Sequence, residues 1–318
     1  MNFPSEWRLD PLKGHQVLIC PAREQRLQHS PGACPFCESH EKETTQEVFA
    51  IRQESTAANQ PGWSVRVVPN RYPAVSQFDR SAFGISSPEI RPGYGASEVV
   101  IETPDHLTHL HQFSSLQWEQ VLIAWQQRFS YWNSHSEIQF VQIFRNQGRA
   151  GGASLEHAHS QVVAVDFVPE QVQREADRFS KAGNSWYSKY LSENCPELVL
   201  ATESWLVVCP PTSRFAYESW IIPRRGYRSI DLMTDFERTT LADITVKLSK
   251  AYQTILGVDW ASNLLLKSPP KRHRWDHWYL EFTPRTQTIA GWELATGQLF
   301  NTVDPAHASF KLRAILES

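Results

Sequence analysis

The run Phe144-Arg-Asn-Gln-Gly-Arg-Ala-Gly-Gly-Ala-Ser-Leu-Glu-His-Ala-His-Ser-Gln-Val-Val-Ala-Val165 leads a glycine-rich loop into two histidines and a glutamine at alternate positions of an apolar stretch. Side chains repeat every two residues along a strand, so His157, His159 and Gln161 share one face, and Ala158, Ser160 and Val162 the other. Gly148, Gly151 and Gly152 let backbone N–H groups approach an anion closely, and Asn146 and Ser154 add donors. Phosphate is the expected guest. A neutral imidazole, with an ordinary pKa of about 6.5, attacks phosphorus near neutral pH without a separate base. The pattern points to covalent catalysis through a nucleotidyl-histidine. A bare H-x-H also fits edge-strand residues or metal ligands; the glycine loop and Gln161 favour the nucleophilic reading.

The second chemical signal is Cys34-Pro-Phe-Cys37. Two thiolates at this spacing suit zinc, and a tetrahedral site then needs two more ligands, for which His40, His106, His109, His111 and His157 are candidates. A redox C-x-x-C is the rival, but no thioredoxin-like βαβ pattern surrounds it.

These groups must be positioned by strands and capped helices. Apolar strands are expected at 16–20, 63–68, 98–102 and 138–144, the last leading into the glycine loop. Residues 40–62 read as a flexible loop or frayed helix. Ser114 to Gln117 reads as a capping box opening a helix apolar at 118, 121, 122, 125, 129 and 132. Pro169 opens another helix through about Tyr190. The later half repeats the pattern: strands at 205–209 and 219–223, a helix capped by Thr234 to Glu237, then strands at 263–266 and 278–282. Such repetition is the mark of an internal duplication. The second copy carries His277-Trp-Tyr-Leu-Glu281 where the first has H-x-H-x-Q, so it is expected to be a scaffold. The fold class expected is α+β: two modules, 1–168 and 169–318, whose antiparallel strands join into one extended sheet with flanking helices.

The 318 residues are 41% apolar and 20% charged, which suits a globular chain, and the net charge of -3 argues against a broad nucleic-acid or membrane-surface footprint. No run approaches the roughly 20 apolar residues that span a bilayer, and the N-terminus lacks a signal peptide's basic and apolar regions. The odd count of five cysteines suits a reduced compartment better than a disulfide framework, so a cytoplasmic protein is expected. The twelve tryptophans are assigned to core packing and dimer contacts.

Asn146 through Gln161, with its core Gly-Ala-Ser-Leu-Glu-His-Ala-His-Ser-Gln, resembles the active-site segment of galactose-1-phosphate uridylyltransferases and the related ADP-sugar phosphorylases, in the histidine-triad superfamily. The resemblance implies His159 as nucleophile, Gln161 as the group holding phosphoryl oxygens, and a half-barrel of duplicated modules. It also implies structural zinc on Cys34, Cys37, His106 (within Pro104-Asp105-His106) and His157. Arg23 and Arg26 would lend positive charge to the nucleotide pocket, and Asn70 and Arg71 lie in the loop that grips the nucleoside. Ser154, Asn146 and Gly148 would face the phosphates. Glu293, in Ala290-Gly-Trp-Glu293, would contact the sugar, sometimes across a dimer interface. Ala158 replaces the proline many uridylyltransferases have, and Arg71 stands where the best-known ones carry an acidic residue, so the base is left open between uracil and adenine. Some relatives hold a second metal through a glutamate matching Glu175 and three later histidines. Tyr279 and Glu281 occupy two of those places, so a second metal is expected to be absent. The implied reaction is nucleotidyl transfer by double displacement, in a homodimer, between a nucleotide sugar and a hexose 1-phosphate or inorganic phosphate; the alternative of another class is a non-catalytic nucleotide-binding protein, because one fold hosts many functions.

Overall fold

The computed structural model describes residues 5–21, 23–24, 34–78, 89–183, 190, 195–273, 275 and 277–318. In chain order its elements are β1 (Glu6–Leu9), β2 (Gln16–Ile19), β3 (Phe49–Arg52), β4 (Trp63–Pro69), β5 (Ile90–Pro92), β6 (Gly95–Ile101), α1 (Ser115–Ser134), β7 (Phe140–Gln147), β8 (His159–Val165) and α2 (Glu170–Ala182). There follow β9 (Leu198–Ala201), β10 (Trp205–Val208), β11 (Ser219–Pro223), α3 (Asp235–Leu256), β12 (Ser262–Lys267), β13 (Tyr279–Pro284), α4 (Gly291–Thr296) and α5 (Pro305–Leu316).

β1, β2 and β5 make a small sheet in the order β2-β1-β5. The other strands form one ten-stranded sheet, β3-β4-β6-β8-β7-β12-β13-β11-β10-β9, in which every pairing is antiparallel. Read inward from each edge, the two halves follow the same path, and in each a 3-10 turn and a capped helix join the third strand to the fourth. The halves meet where β7 pairs with β12, with Asn146 opposite Asn263 and Phe144 opposite Leu265.

One face of this sheet is dry. Trp118, Val121, Leu122, Trp125, Phe129 and Trp132 of α1 are all buried, as the 3.6-residue period requires, and pack with Leu241, Leu248 and Tyr252 of α3 and Leu312 of α5 onto that face. Trp125 Nε1 donates to Ser160 Oγ at 2.8 Å, which fixes Ser160 on the helix side of β8 and so turns His159 and Gln161 to the other.

The caps differ from the expected symmetry. Thr234 and Glu237 form a full capping box on α3. On α1, Ser114 accepts from Gln117 N, but the Gln117 side chain donates instead to Ser64 O and Glu102 O, at 2.9 and 2.5 Å, tying the helix start to the sheet.

The loop expected over 40–62 contains the edge strand β3, paired with β4, and buried Glu41, which accepts from Trp63 Nε1 at 2.8 Å. A strand one residue deep in the sheet edge needs only a short apolar run, here Phe49-Ala-Ile51, which the polar surroundings mask. The helix after Pro169 stops at Ala182, where Gly183 takes a positive φ of 55°. β1, β9 and the two C-terminal helices were not expected from the sequence pattern. No helix among the described residues is long and apolar enough to cross a membrane.

Beneath β8 lies a buried ion pair, Arg145 Nε to Glu102 Oε2 at 2.8 Å, with side chains 2% and 0% exposed. Burial pushes the Glu102 carboxyl above its ordinary range, and Arg145 offsets only part of this. Removing one partner of such a pair strands a buried charge. Arg145→Met should lower stability by about 3 kcal/mol in urea titration, and the double replacement Arg145→Met with Glu102→Leu should recover most of it.

Candidate active site

On the face away from the helices, the central strands are uncovered. Gln142, Phe144 and Asn146 of β7, Gln161 and Val163 of β8, and Asn263, Leu265 and Lys267 of β12 are half-buried, while nearly all their alternates are fully buried. The register sets rows across this trough. Ile101 lies opposite His159, and Val99, Gln161, Phe144 and Leu265 form the adjacent row. One further step along the β7–β8 ladder brings Asn146 beside His159, and Asn263 stands opposite Asn146.

His159 is 5% exposed. Its Nδ1 lies 2.8 Å from the carbonyl oxygen of His157, which can only accept, so Nδ1 carries the proton and donates. That places the ring's lone pair on Nε2. Phe36, within the Cys34 to Cys37 turn, meets the ring edge-on with centroids 5.4 Å apart.

The loop between β7 and β8 explains two of its glycines directly. Gly148 has φ 69°, and a Cβ there would lie 2.9 Å from Ala261 Cβ; a Cβ on Gly151 would lie 2.5 Å from Ser262 O. The loop is thus pressed against the start of β12, where a side chain has no room. The N–H groups of Gly151 and Ala153 donate to Gly148 O and that of Gly152 to Arg149 O, so these amides are engaged within the loop. Donors toward the trough therefore come chiefly from side chains, with Asn146 and Gln161 in its floor. Ser154 is exposed on the loop.

Beside His159, the ligand atoms of Cys34, Cys37, His106 and His157 all lie within 4.8 Å of one another. Cys34 Sγ and Cys37 Sγ are each 3.6 Å from His157 Nδ1, and Cys37 Sγ is 3.3 Å from His106 Nδ1. Sulfur and nitrogen ligands around a tetrahedral zinc-like ion stand about 3.5 Å apart, so the spacing fits. His157 Nε2 is 2.9 Å from Thr103 O and donates to it, which leaves Nδ1 for a metal. Burial holds this imidazole below its ordinary pKa, hence neutral, as a ligand nitrogen must be. Burial and the neighbouring Cys34 push the Cys37 thiol up to about 11, so a cation is what would make the two thiolates tolerable together. The other histidine candidates have different partners: His40 Nδ1 meets Cys34 O at 2.7 Å, His109 Nδ1 meets Thr108 Oγ1 at 2.7 Å, and His111 Nδ1 faces Trp260 Nε1 at 3.4 Å.

The remaining sequence candidates are more dispersed. Asn70 follows β4, bonds Ser97 O through its N–H, and accepts from Tyr72 N at 2.9 Å; Arg71 is exposed, its guanidinium 5.9 Å from the Tyr72 ring centroid. Arg23 is half-buried after β2, and Arg26 lies outside the described residues. Glu293 is half-buried on α4, where its carboxylate accepts from Ala290 N at 3.0 Å and caps its own helix; no residue of α4 is fully buried.

In the second half, Trp220 pairs with Glu281 as Val99 pairs with Gln161, so Tyr279 and Glu281 are the counterparts of His159 and Gln161. Lys267 Nζ lies 2.6 Å from Glu175, and Arg214 pairs with Glu281. Thr103, Phe36 and Asn263 escaped the sequence reading. The first two had a signal, standing next to Pro104 and between the paired cysteines; Asn263 had none.

Residues 2–169 match the family described as galactose-1-phosphate uridyl transferase, N-terminal domain, and residues 126–318 match a family described as a domain of unknown function (DUF4921). The chain is 27% identical over 338 residues to the ADP-glucose phosphorylase of Arabidopsis thaliana, covering 99% of this chain and 94% of that one. It is 25% identical over 332 residues to the galactose-1-phosphate uridylyltransferase of Thermotoga maritima, covering 97% and 98%. A solved structure of a uridylyltransferase superposes with a TM-score of 0.81 at 26% identity over 98% of both chains.

If the four-ligand cluster holds a metal ion, the purified protein should contain about one equivalent per chain by plasma emission spectrometry. Cys37→Ser should lose most of it and melt at a lower temperature, because a tetrahedral structural site contributes directly to folding.

Proposed function

Because the chain belongs to the galactose-1-phosphate uridyl transferase family, we propose that it moves a nucleoside monophosphate from a nucleotide sugar to a hexose 1-phosphate by two displacements through nucleotidyl-His159. The observation that carries this reading is the His159 Nδ1 contact with the His157 carbonyl at 2.8 Å, beside the half-open trough. It keeps the proton on Nδ1 and the nucleophilic pair on Nε2.

In the first displacement Nε2 forms a bond to the α-phosphorus, and the bond from that phosphorus to the bridging oxygen breaks, releasing the sugar 1-phosphate. The ring becomes a substituted imidazolium, whose Nδ1–H bond to the His157 carbonyl strengthens as positive charge develops. In the second, a phosphate oxygen of the acceptor attacks the same phosphorus and the N–P bond breaks, restoring the neutral ring. Charge on the transferring phosphoryl oxygens is met by the amides of Gln161 and Asn146, with Ser154 and Gly148 on the loop. Arg23, Arg26, Asn70 and Arg71 serve the nucleotide.

We assign the Cys34, Cys37, His106 and His157 cluster to zinc, because a two-sulfur, two-nitrogen set with tetrahedral spacing suits that ion. Its part is structural: it would pin the N-terminal turn and the His157 backbone, and with them the carbonyl that His159 uses. The halves 1–168 and 169–318 are read as duplicated histidine-triad-like modules, of which only the first carries the nucleophile. A cytoplasmic setting fits five cysteines that are all free of disulfides.

The second reading is an ADP-sugar phosphorylase, with inorganic phosphate as acceptor. Arg71 in the nucleoside loop and the similarity to an ADP-glucose phosphorylase favour it. Incubation with UDP-glucose or ADP-glucose labelled in the α-phosphate decides base and chemistry together. Protein-bound label, acid-labile and alkali-stable, is expected from one of the two; addition of galactose 1-phosphate or inorganic phosphate should discharge it and so name the acceptor. His159→Asn should reduce turnover by about 10^4-fold or more. If the unaltered protein takes up neither label, covalent transfer is excluded.

We also propose a homodimer in which α4 and its flanks pack on a second copy, bringing Glu293 to the partner's sugar site. Support comes from the apolar side chains left uncovered there: Trp292, Leu294 and Phe300 are 53%, 78% and 60% exposed. Sedimentation equilibrium should give twice the chain mass, and Trp292→Asp with Phe300→Asp should give the monomer.

A further inference from the structure

We infer that Asn263, from the second half-sheet, is a positioning residue for this transfer, because it decides which end of the Asn146 amide faces the reacting phosphate. The inference rests on the transfer reading above. An asparagine side chain presents an oxygen and a nitrogen of nearly equal size, and only its partners tell them apart. Asn263 has partners that leave no choice. One terminal atom lies 2.7 Å from Gly151 O, a carbonyl that can only accept, so that atom is the nitrogen, Nδ2. The other lies 3.4 Å from Arg285 Nη1, a guanidinium nitrogen that can only donate, so it is the oxygen, Oδ1.

The orientation passes across the seam. The same Nδ2 lies 2.9 Å from Asn146, so the Asn146 atom there is its oxygen, and its NH2 group is turned away from Asn263. It points to the side of the catalytic loop: a Cβ built on Gly152 would lie 3.9 Å from Asn146 Nδ2. Asn146 is also one ladder step from the pairing of Arg145 with Ser160, beside His159. A phosphoryl oxygen in the trough thus meets a donor. With the amide reversed it would meet a carbonyl oxygen, which repels it.

Arg285 is itself held: its N–H donates to Ala261 O at 2.7 Å, and its guanidinium lies 4.8 Å from the Phe215 ring centroid. The relay runs Arg285, Asn263, Asn146, phosphate, and each link has one allowed direction.

Asn263→Asp removes the NH2 and supplies a second acceptor. The new carboxylate draws the Asn146 NH2 toward itself and turns the amide oxygen to the phosphate. Turnover with the nucleotide sugar that labels the protein, and calorimetric affinity for AMP and UMP, would be compared in the unaltered protein, N263D, N146A and the double variant N146A/N263D. N263D should lose about tenfold to a hundredfold in kcat/KM and about tenfold in affinity for the nucleotide that binds. In the N146A background the same change should cost no more than about twofold, since the residue through which it acts is gone. Equal losses in both backgrounds, or full activity and affinity in N263D, would overturn the inference while leaving the transfer reading intact. Should N263D fail to fold, as judged by its melting curve, N263A carries the same cycle without the added charge and should lose less. A parent protein that neither binds nucleotide nor takes up label would overturn both readings.

Discussion

The ladder between β7 and β12 is the interaction on which the rest of the molecule depends. It turns two five-stranded half-sheets into one continuous sheet, and it is the reason the catalytic loop has its shape. Gly148 and Gly151 lie where a side chain would strike Ala261 and Ser262, so the loop closes down on the opposing strand and Asn146 meets Asn263. A one-residue slip of this register would turn Asn146 to the helix side and Arg145 to the trough. The buried pairing of Arg145 with Glu102 opposes that slip, because it would expose one charge and strand the other.

The two faces of the sheet divide the work. The helix face is filled by apolar side chains and is closed; the other face is half-open over its central strands, so the proposed chemistry falls in the middle of the sheet, where the backbone is paired on both sides. Rigidity there matters, since covalent transfer depends on holding a nucleophile close to phosphorus in one orientation. His157 links the two requirements. Its side chain belongs to the four-ligand cluster and its backbone carbonyl sets the tautomer of His159. Anything that holds His157 in place also holds the His159 ring.

The second half keeps the path of the first with different residues at the matching positions. Tyr279 and Glu281 stand where His159 and Gln161 do, and burial keeps the Tyr279 phenol far above its ordinary pKa and raises the Glu281 carboxyl, which Arg214 only partly offsets. Near neutral pH the Tyr279 phenol keeps its proton, and the Glu281 carboxyl is engaged by Arg214. Glu175 is likewise committed: burial alone would raise its pKa, but Lys267 at 2.6 Å, with Gln171 and Arg214, more than offsets this and lowers it. What that half lends to the proposed active centre is β12, whose Asn263 bonds the Asn146 side chain.

The sequence by itself determined what is local and periodic. The period of two placed His159 and Gln161 on one face, the period of 3.6 named six of the nine buried residues of α1, and the spacing of Cys34 and Cys37 named half of a ligand set that the family resemblance completed with His106 and His157 and that the fold brings together. It could not determine what arises between distant strands. The edge strand β3 was hidden because its apolar run, Phe49 to Ile51, is short and set among polar residues; the Gln117 side chain left the expected capping box because Ser64 and Glu102 carbonyls lay within reach. The direction of the Asn146 amide was decided only by tertiary structure. An amide has two nearly identical ends, and which one faces Asn263 follows from a carbonyl at Gly151 and a guanidinium at Arg285 that come together only when β7 and β12 pair.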